Sequence, residues 1–325
     1  MRELRIGKND AGQRVDKFLS KALCNMPPSL LYKSIRTKKI KLNRARVTPS
    51  RILEEGDTLQ LFLRDEFFGD ADADQNETVR RLKSVTPHVT PLYEDEHIIL
   101  LHKRPGVSVH EDENQTTDNL ITHLQAYLYK KGAYDPASEQ SFAPALCNRI
   151  DRNTGGIVIA AKDAEALRIM NEKIRDREID KYYLAAVHGT PRPPEAVLSA
   201  YLYKHEKGNI VTVSDRPSGR RGEKDIRTGY RVLKSKNGLS LLEVRLFTGR
   251  THQIRAHMAH VGHPLLGDGK YGINRADAQR GYKHQALYAY KLRFSFKGEE
   301  NLLSYLDGRE FSIPPEDIYF TELFK

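Results

Sequence analysis

Long apolar runs are missing from this chain of 325 residues. None approaches the roughly 18 residues a membrane span needs, which argues against a membrane partner or span. The opening stretch MRELRIGKND has no apolar segment of a secretory signal, so the cytoplasm is the expected address. Cysteine is scarce: only Cys24 and Cys147 occur. Two are too few for a disulfide framework or a four-cysteine zinc site, and both are expected as free thiols. Internal repeats are absent. So is a phosphate-binding loop, because SGRRGEK lacks both the spacing and the following Ser or Thr. What is there, at 39% hydrophobic residues, suffices for a substantial core, and the length suits one large domain with a small one attached.

The net charge of +10 is unevenly placed. Residues 1–63 hold 14 Lys and Arg against 6 Asp and Glu, so +8 of the total sits in the first fifth of the chain. A small basic module joined to a nearly neutral body fits an appendage that binds a polyanion. Within it, Val15, Phe18, Leu19 and Ala22 recur at helical spacing, and Leu30, Leu31 and Ile35 continue with a second short helix. The exposed side of that second helix and the strand after it carry Lys33, Arg36, Lys38, Lys39 and Lys41. Cations on one face neutralise phosphates without reading bases. KIKLN and GDTLQLFL read as strands, the second entered through a Gly56-Asp57 turn.

Residues 64–85 are rich in Asp and Glu and poor in core formers, a composition that predicts a flexible acidic linker. DADAD inside it lacks the glycine and the distant glutamate of a calcium loop. From 86 to 325 strands and helices interleave. HIILLHK, GIVIAAK, KYYLAAVHG, NIVTVS and LSLLEVRLF read as strands, the last placing Leu242, Val244 and Leu246 on one face. TTDNLITHLQAYLYKKG is a helix ending at Gly132, and Asp163 caps another with Leu167, Met170 and Ile174 as its stripe. THQIRAHMAHVG is a helix with Ile254, Met258 and Val261 inward and Gly262 at its end. The fold class is α+β, with a mixed, largely antiparallel sheet and a small α+β domain at the N-terminus.

The chemistry-bearing stretch is CNRIDRNTGG. Asp151 stands among Arg149 and Arg152 in a turn closed by Thr154, Gly155 and Gly156. Alone, such an aspartate is a turn residue in a surface ion pair. His252, His257, His260 and His263 lie close together, but carboxylate or cysteine partners at metal spacing are lacking, so no metal is expected.

Four motifs in order, LHKRPGVSVH, NRIDRNTGG, KYYLAAVHG and LFTGRTHQIRAHMAHVGHPLLGDGKYG, resemble those of the RluA-type pseudouridine synthases. Residues 1–63 are similar to the alpha-L RNA-binding motif often attached to them. The resemblance implies the pseudouridine synthase fold and isomerisation of a uridine in structured RNA. The bond from the sugar to base nitrogen 1 breaks, the uracil turns, and the sugar rejoins it at carbon 5. That takes a nucleophile or charge stabiliser beside sugar and base in a site that excludes water; a carboxylate suffices, and the resemblance implies no metal or redox cofactor. By the resemblance, Asp151 is the catalytic aspartate, whether it adds to the base or acts on the sugar. Arg255 is the arginine paired with it, a cation that favours the charged form of a buried carboxylate. Tyr183 is the pocket tyrosine against the uracil. Arg149 is the arginine that fills the space left by the flipped nucleotide, a place suited to a planar guanidinium. Lys103 and Pro105-Gly106 belong to the loop near the floor of the site, and Arg250 and His252 open the last motif as RNA contacts.

Two positions depart from the pattern: Asn148 and Tyr288 stand where the family commonly has histidine, with consequences for substrate fit. The loop SDRPSGRRGEKDIRTGY carries Arg216, Arg220, Arg221, Lys224 and Arg227, either reaching over an RNA backbone or forming a solvated charged hairpin. Large-subunit ribosomal RNA is the first expected substrate, with transfer RNA open, and a monomer is typical of the family. The rival from another class is a non-catalytic RNA-binding protein, which the presence of Asp151, Tyr183 and Arg255 together disfavours.

Overall fold

A computed structural model describes the chain apart from residues 24, 69–70, 111–117 and 273. Cys24 therefore lies outside the described residues, while Cys147 is a free thiol. The N-terminal domain consists of β1 (Arg2–Arg5), α1 (Val15–Ala22), α2 (Pro28–Arg36), β2 (Ile40–Leu42), β3 (Ala45–Arg46) and β4 (Thr58–Leu61). Its four strands form an antiparallel sheet in the order β1-β4-β2-β3. Val15, Phe18 and Leu19 of α1 and Leu31 and Ile35 of α2 supply the helical stripes of its core, packed with Ile40, Leu59 and Leu61 from the sheet.

The expectation of a flexible linker over residues 64–85 is corrected. Asp65–Phe67 form a turn of 3-10 helix, and α3 (Ala71–Ser84) is an α-helix packed against α4 (Leu120–Lys130). Leu82 is fully buried, and Phe68 is buried in the N-terminal core beneath the Arg2 guanidinium. One leucine and one phenylalanine thus anchor a stretch whose average composition is that of an unfolded chain. The two domains also meet directly through polar contacts. Ser141 Oγ donates to Asp10 Oδ1 (2.6 Å), Gln13 Nε2 donates to Ser141 Oγ (2.9 Å), Asn9 Nδ2 donates to Glu139 Oε1 (2.7 Å), and an Arg168 amino group donates to the Ala11 carbonyl (2.9 Å).

The larger domain is built on eleven strands, β5 (Pro91–Glu94), β6 (Ile98–Lys103), β7 (Ala145–Leu146), β8 (Gly155–Ala161), β9 (Ile179–His188), β10 (Glu195–Lys204), β11 (Val211–Ser214), β12 (Lys224–Lys236), β13 (Leu239–Leu246), β14 (Leu287–Phe294) and β15 (Glu310–Ser312). Nine run in the order β11-β10-β12-β13-β9-β14-β8-β6-β5, with β15 beside β14 and β7 beside β8. The pairing is antiparallel except between β14 and β8. Strand alternation gives the sheet a core on each face. On one, Tyr183, Ala185 and Val187 of β9 and Leu242 and Val244 of β13 meet α4 and α6 (Gln253–His260). On the other, Leu184 and Ala186 meet α5 (Ala164–Arg175) and the C-terminal Phe320 and Phe324. A last short helix, α7 (Asn274–Gln279), precedes β14.

Local chemistry explains the boundaries. Asp163 Oδ1 accepts from the Ala166 N–H and caps α5, as its sequence position predicts. Asn237 and Gly238, both at positive φ, make the tight turn between β12 and β13, where Asn-Gly suits the twist of a two-residue hairpin. Residues 215–223, by contrast, are not a hairpin loop: β11 and β12 both pair with β10, which lies between them. Arg220 stacks over Tyr203 of β10 at 5.2 Å rather than extending free.

Candidate active site

The site forms where the turn before β8 meets the start of α6. Ile150 is buried in the core and anchors the turn, which closes with the Thr154 N–H donating to the Asp151 carbonyl (3.0 Å). Gly155 and Gly156 follow because nothing larger fits. A Cβ on Gly155 would lie 2.2 Å from the Tyr288 ring, and one on Gly156 would lie 2.2 Å from the Ala289 carbonyl oxygen, at a φ of +123°. The two glycines let β14 run in parallel against β8 and bring Tyr183 into the adjacent row, since Ala289 pairs with both Gly156 and Tyr183.

Asp151 and Arg255, 104 positions apart, meet here: Arg255 NH1 donates to Asp151 Oδ2 at 3.0 Å. The rest of the guanidinium is held by Asp268, Nε to Oδ2 at 2.7 Å and NH2 to Oδ1 at 2.9 Å. Asp268 in turn accepts from the Lys270 and Tyr271 N–H groups. Burial works against the Arg255 cation, but Asp268 and Asp151 outweigh it and hold its pKa above the usual value. Burial likewise pushes the Asp268 carboxyl up, and its bonds to Arg255 outweigh that and hold it below the usual range. Arg255 is thus a fixed cation with one nitrogen left for Asp151.

His252, expected on the RNA-contacting surface, is buried beside the carboxylate. Its Nε2 is 3.8 Å from Asp151 Oδ2 and its Nδ1 is 2.8 Å from the Tyr271 hydroxyl. Burial lowers its pKa to about 4, so the ring is neutral at pH 7. The Tyr183 hydroxyl has no hydrogen-bond partner among the described residues. Burial, and then the charge of Asp151, raise its pKa well above that of a free phenol and keep it protonated. Lys103 is fully buried, and its ammonium donates to the carbonyls of Arg104, Val107 and Arg152 at 2.9 to 3.1 Å, pinning the Pro105-Gly106 loop to the Asp151 turn. Burial, opposed by Asp151, draws its pKa down to about 7.

Asp151, Tyr183, His252 and Arg255 border a cavity of about 270 Å³ whose lining also includes Leu246 and Leu287. Arg149 and Arg250 are exposed at its rim. Asn148 Oδ1 accepts from the Ile159 N–H at 2.7 Å and ties the turn to β8. Tyr288 lies on the other face, bonded to His102 Nε2 at 2.5 Å and outside the cavity lining. Its departure from the family pattern therefore falls beneath the site rather than in it. Lys33, Arg36, Lys38 and Lys39 are exposed on the N-terminal domain, Lys41 is half-buried with its ammonium 5.5 Å from the Phe62 ring, and Arg44 and Arg46 in the next turn and strand extend that surface. Sequence reasoning missed Asp268, Tyr271 and Lys181. The first two belong to the GDGKYG run, and Lys181 opens KYYLAAVHG, so the signal lay inside two of the four motifs. No group of three or more potential metal ligands occurs among the described residues: His257 bonds Thr228 and His260 bonds Asp215.

The comparisons agree with this architecture. The human protein titled RNA Pseudouridylate Synthase Domain Containing 4 superposes with a TM-score of 0.55 at 19% identity, over 78% of this chain and 96% of its own. That likeness places the chain in the pseudouridine synthase fold. The family model described as RNA pseudouridylate synthase matches residues 97–260, which include Asp151, Tyr183 and Arg255. The ribosomal large subunit pseudouridine synthase C of Vibrio cholerae is 32% identical over 92% of this chain and 90% of its own length. Its counterpart from Salmonella typhi is 31% identical over the same shares. The chain belongs to the RluA-type RNA pseudouridine synthases and is an enzyme of that kind.

Proposed function

We propose that the cavity receives a uridine flipped out of large-subunit ribosomal RNA and converts it to pseudouridine, with Asp151 as the reacting carboxylate. The observation that carries this reading is the Asp151–Arg255 pair beside the unpartnered Tyr183 hydroxyl in one pocket. The substrate class is suggested by the names of the relatives. The C1′–N1 bond breaks, the uracil turns in place, and a C1′–C5 bond forms; the C5 proton leaves and N1 gains one. The atoms balance with no oxidant and no co-reactant.

In this reading Arg255, immobilised by Asp268, orients Asp151 and stabilises its charge. Tyr183 packs against the base and supplies a protonated hydroxyl. Arg149 occupies the gap left in the RNA stack, Arg250 contacts the backbone, and the neutral His252 holds the wall beside Asp151. The N-terminal domain binds RNA through the phosphates facing Lys33, Arg36, Lys38, Lys39 and Lys41, a sequence-independent contact. Because that domain bonds directly to the catalytic domain, its cations hold the RNA at a set distance from the pocket.

The test is release of tritium from transcripts carrying uridine labelled at C5, incubated with the purified protein. Release from large-subunit ribosomal RNA and not from transfer RNA is expected. Release from transfer RNA alone would overturn the substrate, and binding without release would favour a non-catalytic RNA-binding protein.

A further inference from the structure

Lys181 lies on β9 two residues before Tyr183, so both side chains leave the same face of the strand. It pairs with Leu246 on β13, and together with Cys147, Ile174 and Leu246 it lines the same cavity. Among the described residues its ammonium has no hydrogen bond, ion pair or ring contact. The neighbouring ionisable group is the Cys147 thiol, itself pushed up to about 12 by burial.

That isolation is unusual in this molecule. Lys103 donates to three carbonyls, Lys162 to Glu94 and the Asp95 carbonyl, and Lys173 to Glu178 and the Lys297 carbonyl. Enclosed charges need partners, because desolvation without compensation is costly. Burial accordingly draws the Lys181 ammonium below its usual pKa. A cation aimed into a pocket with no acceptor of its own is placed for an acceptor that arrives with the ligand.

Position along the pocket identifies the acceptor. Tyr183 pairs with Ala289, which also pairs with Gly156 just after the Asp151 turn, whereas Lys181 pairs with Leu292, three residues further along β14, which places Lys181 at the end of the cavity away from the carboxylate. A uracil packed on Tyr183 with its sugar at Asp151 presents the edge opposite the glycosidic bond to Lys181. In uridine the atom para to N1 is C4, which carries O4. In pseudouridine the atom para to C5 is C2, which carries O2. Turning the ring about its C6–N3 axis exchanges N1 with C5 and C4 with C2. One fixed donor therefore meets a carbonyl oxygen before and after the turn.

We propose that Lys181 is the base-edge contact of the site, donating to O4 of the incoming uridine and to O2 of the pseudouridine product, and so selecting uracil over cytosine. Cytosine carries an amino group at C4, which would set donor against donor; a site built for a hydrogen-bonding group rejects an analogue that cannot supply it. The inference rests on the cavity being the uridine site.

The test uses the full-length protein and large-subunit ribosomal RNA transcripts made with uridine or with 4-thiouridine, whose sulfur is a weaker acceptor. Modified nucleosides are counted by chromatography after single-turnover reaction. Wild type is expected to convert uridine about ten- to a hundredfold faster than 4-thiouridine, and Lys181→Met to lose most of that preference together with a comparable factor in kcat/KM on uridine. Methionine suits the apolar walls of Ile174 and Leu246, and Lys181→Arg keeps a donor and should restore part of the preference. A purely structural role for Lys181 would lower the rate without changing the ratio of the two substrates. An unchanged ratio in the Met variant overturns the inference and leaves the pseudouridine reading standing. A wild type inactive on every uridine-containing transcript overturns both.

Discussion

Replacing Asp268 tests whether Arg255 acts as a fixed cation or merely as a neighbour of Asp151. Two of the three hydrogen bonds seen on the guanidinium end on this carboxylate, and Asp268 also satisfies the Lys270 and Tyr271 N–H groups. Arg255 is 7% exposed and Asp268 1%, so water cannot replace the missing acceptor cheaply. Removing one partner of a buried, hydrogen-bonded ion pair costs about 3–5 kcal/mol. Asp268→Ala is therefore expected to lose about that much stability, and Asp268→Asn, which keeps one acceptor oxygen, about 1–3 kcal/mol. In the Asn variant Arg255 remains buried but can rotate away from Asp151, and a misplacement of that kind lowers kcat on the order of 10²-fold. Urea unfolding measures the first effect, and single-turnover tritium release from C5 the second. An Asn variant with wild-type turnover would refute the reasoning, because Arg255 would then need no second anchor.

Acid should destabilise the fold through buried histidines. His252 and His257 titrate near 4 when folded, held down chiefly by burial, against 6.5 when free. Between those values the unfolded chain binds more protons, so stability rises with pH across the window and is lost as pH falls from 6.5 toward 4, by about 2 to 3 kcal/mol for each ring at most. Urea midpoints at pH 7, 5.5 and 4 check this, and His257→Gln should flatten part of the slope. Changing Lys33, Arg36, Lys38, Lys39 and Lys41 to Gln should weaken RNA binding and make log K against log salt shallower by about 0.7–0.9 for each phosphate no longer neutralised, read from filter binding at several salt concentrations. Gly156→Ala should cost about 3 kcal/mol or more, since its Cβ would lie 2.2 Å from the Ala289 carbonyl oxygen at a positive φ, and thermal melting reads the destabilisation.

The parts of the fold legible in the sequence were those with local signals. The two N-terminal helices, the Asp163 cap, the buried β8 and the α6 stripe all stand where periodicity and capping put them. α3 was missed because composition averages over residues, whereas a single buried Leu82 and the neighbouring α4 decide the conformation. β10 was overlooked although Ala196, Leu198, Ala200 and Leu202 alternate. Its place between β11 and β12 is a long-range pairing that no local pattern encodes. In the site, the resemblance named Asp151, Tyr183 and Arg255, and the structure brings all three to one cavity. The burial of His252 beside Asp151 was invisible in the sequence. Asp268 and Lys181 were passed over for the same reason: their importance lies in what surrounds them, one tied to Arg255 and the other tied to nothing.

The most direct test of the central claim is pseudouridine mapping by carbodiimide-dependent primer extension on total RNA from cells containing wild-type protein, Asp151→Ala protein or none. A stop at one or more uridines of large-subunit ribosomal RNA that occurs only with wild type, while the variant stays folded and still binds RNA, is the expected result. The same stops with Asp151→Ala would show that the carboxylate beside Arg255 is not what drives the isomerisation.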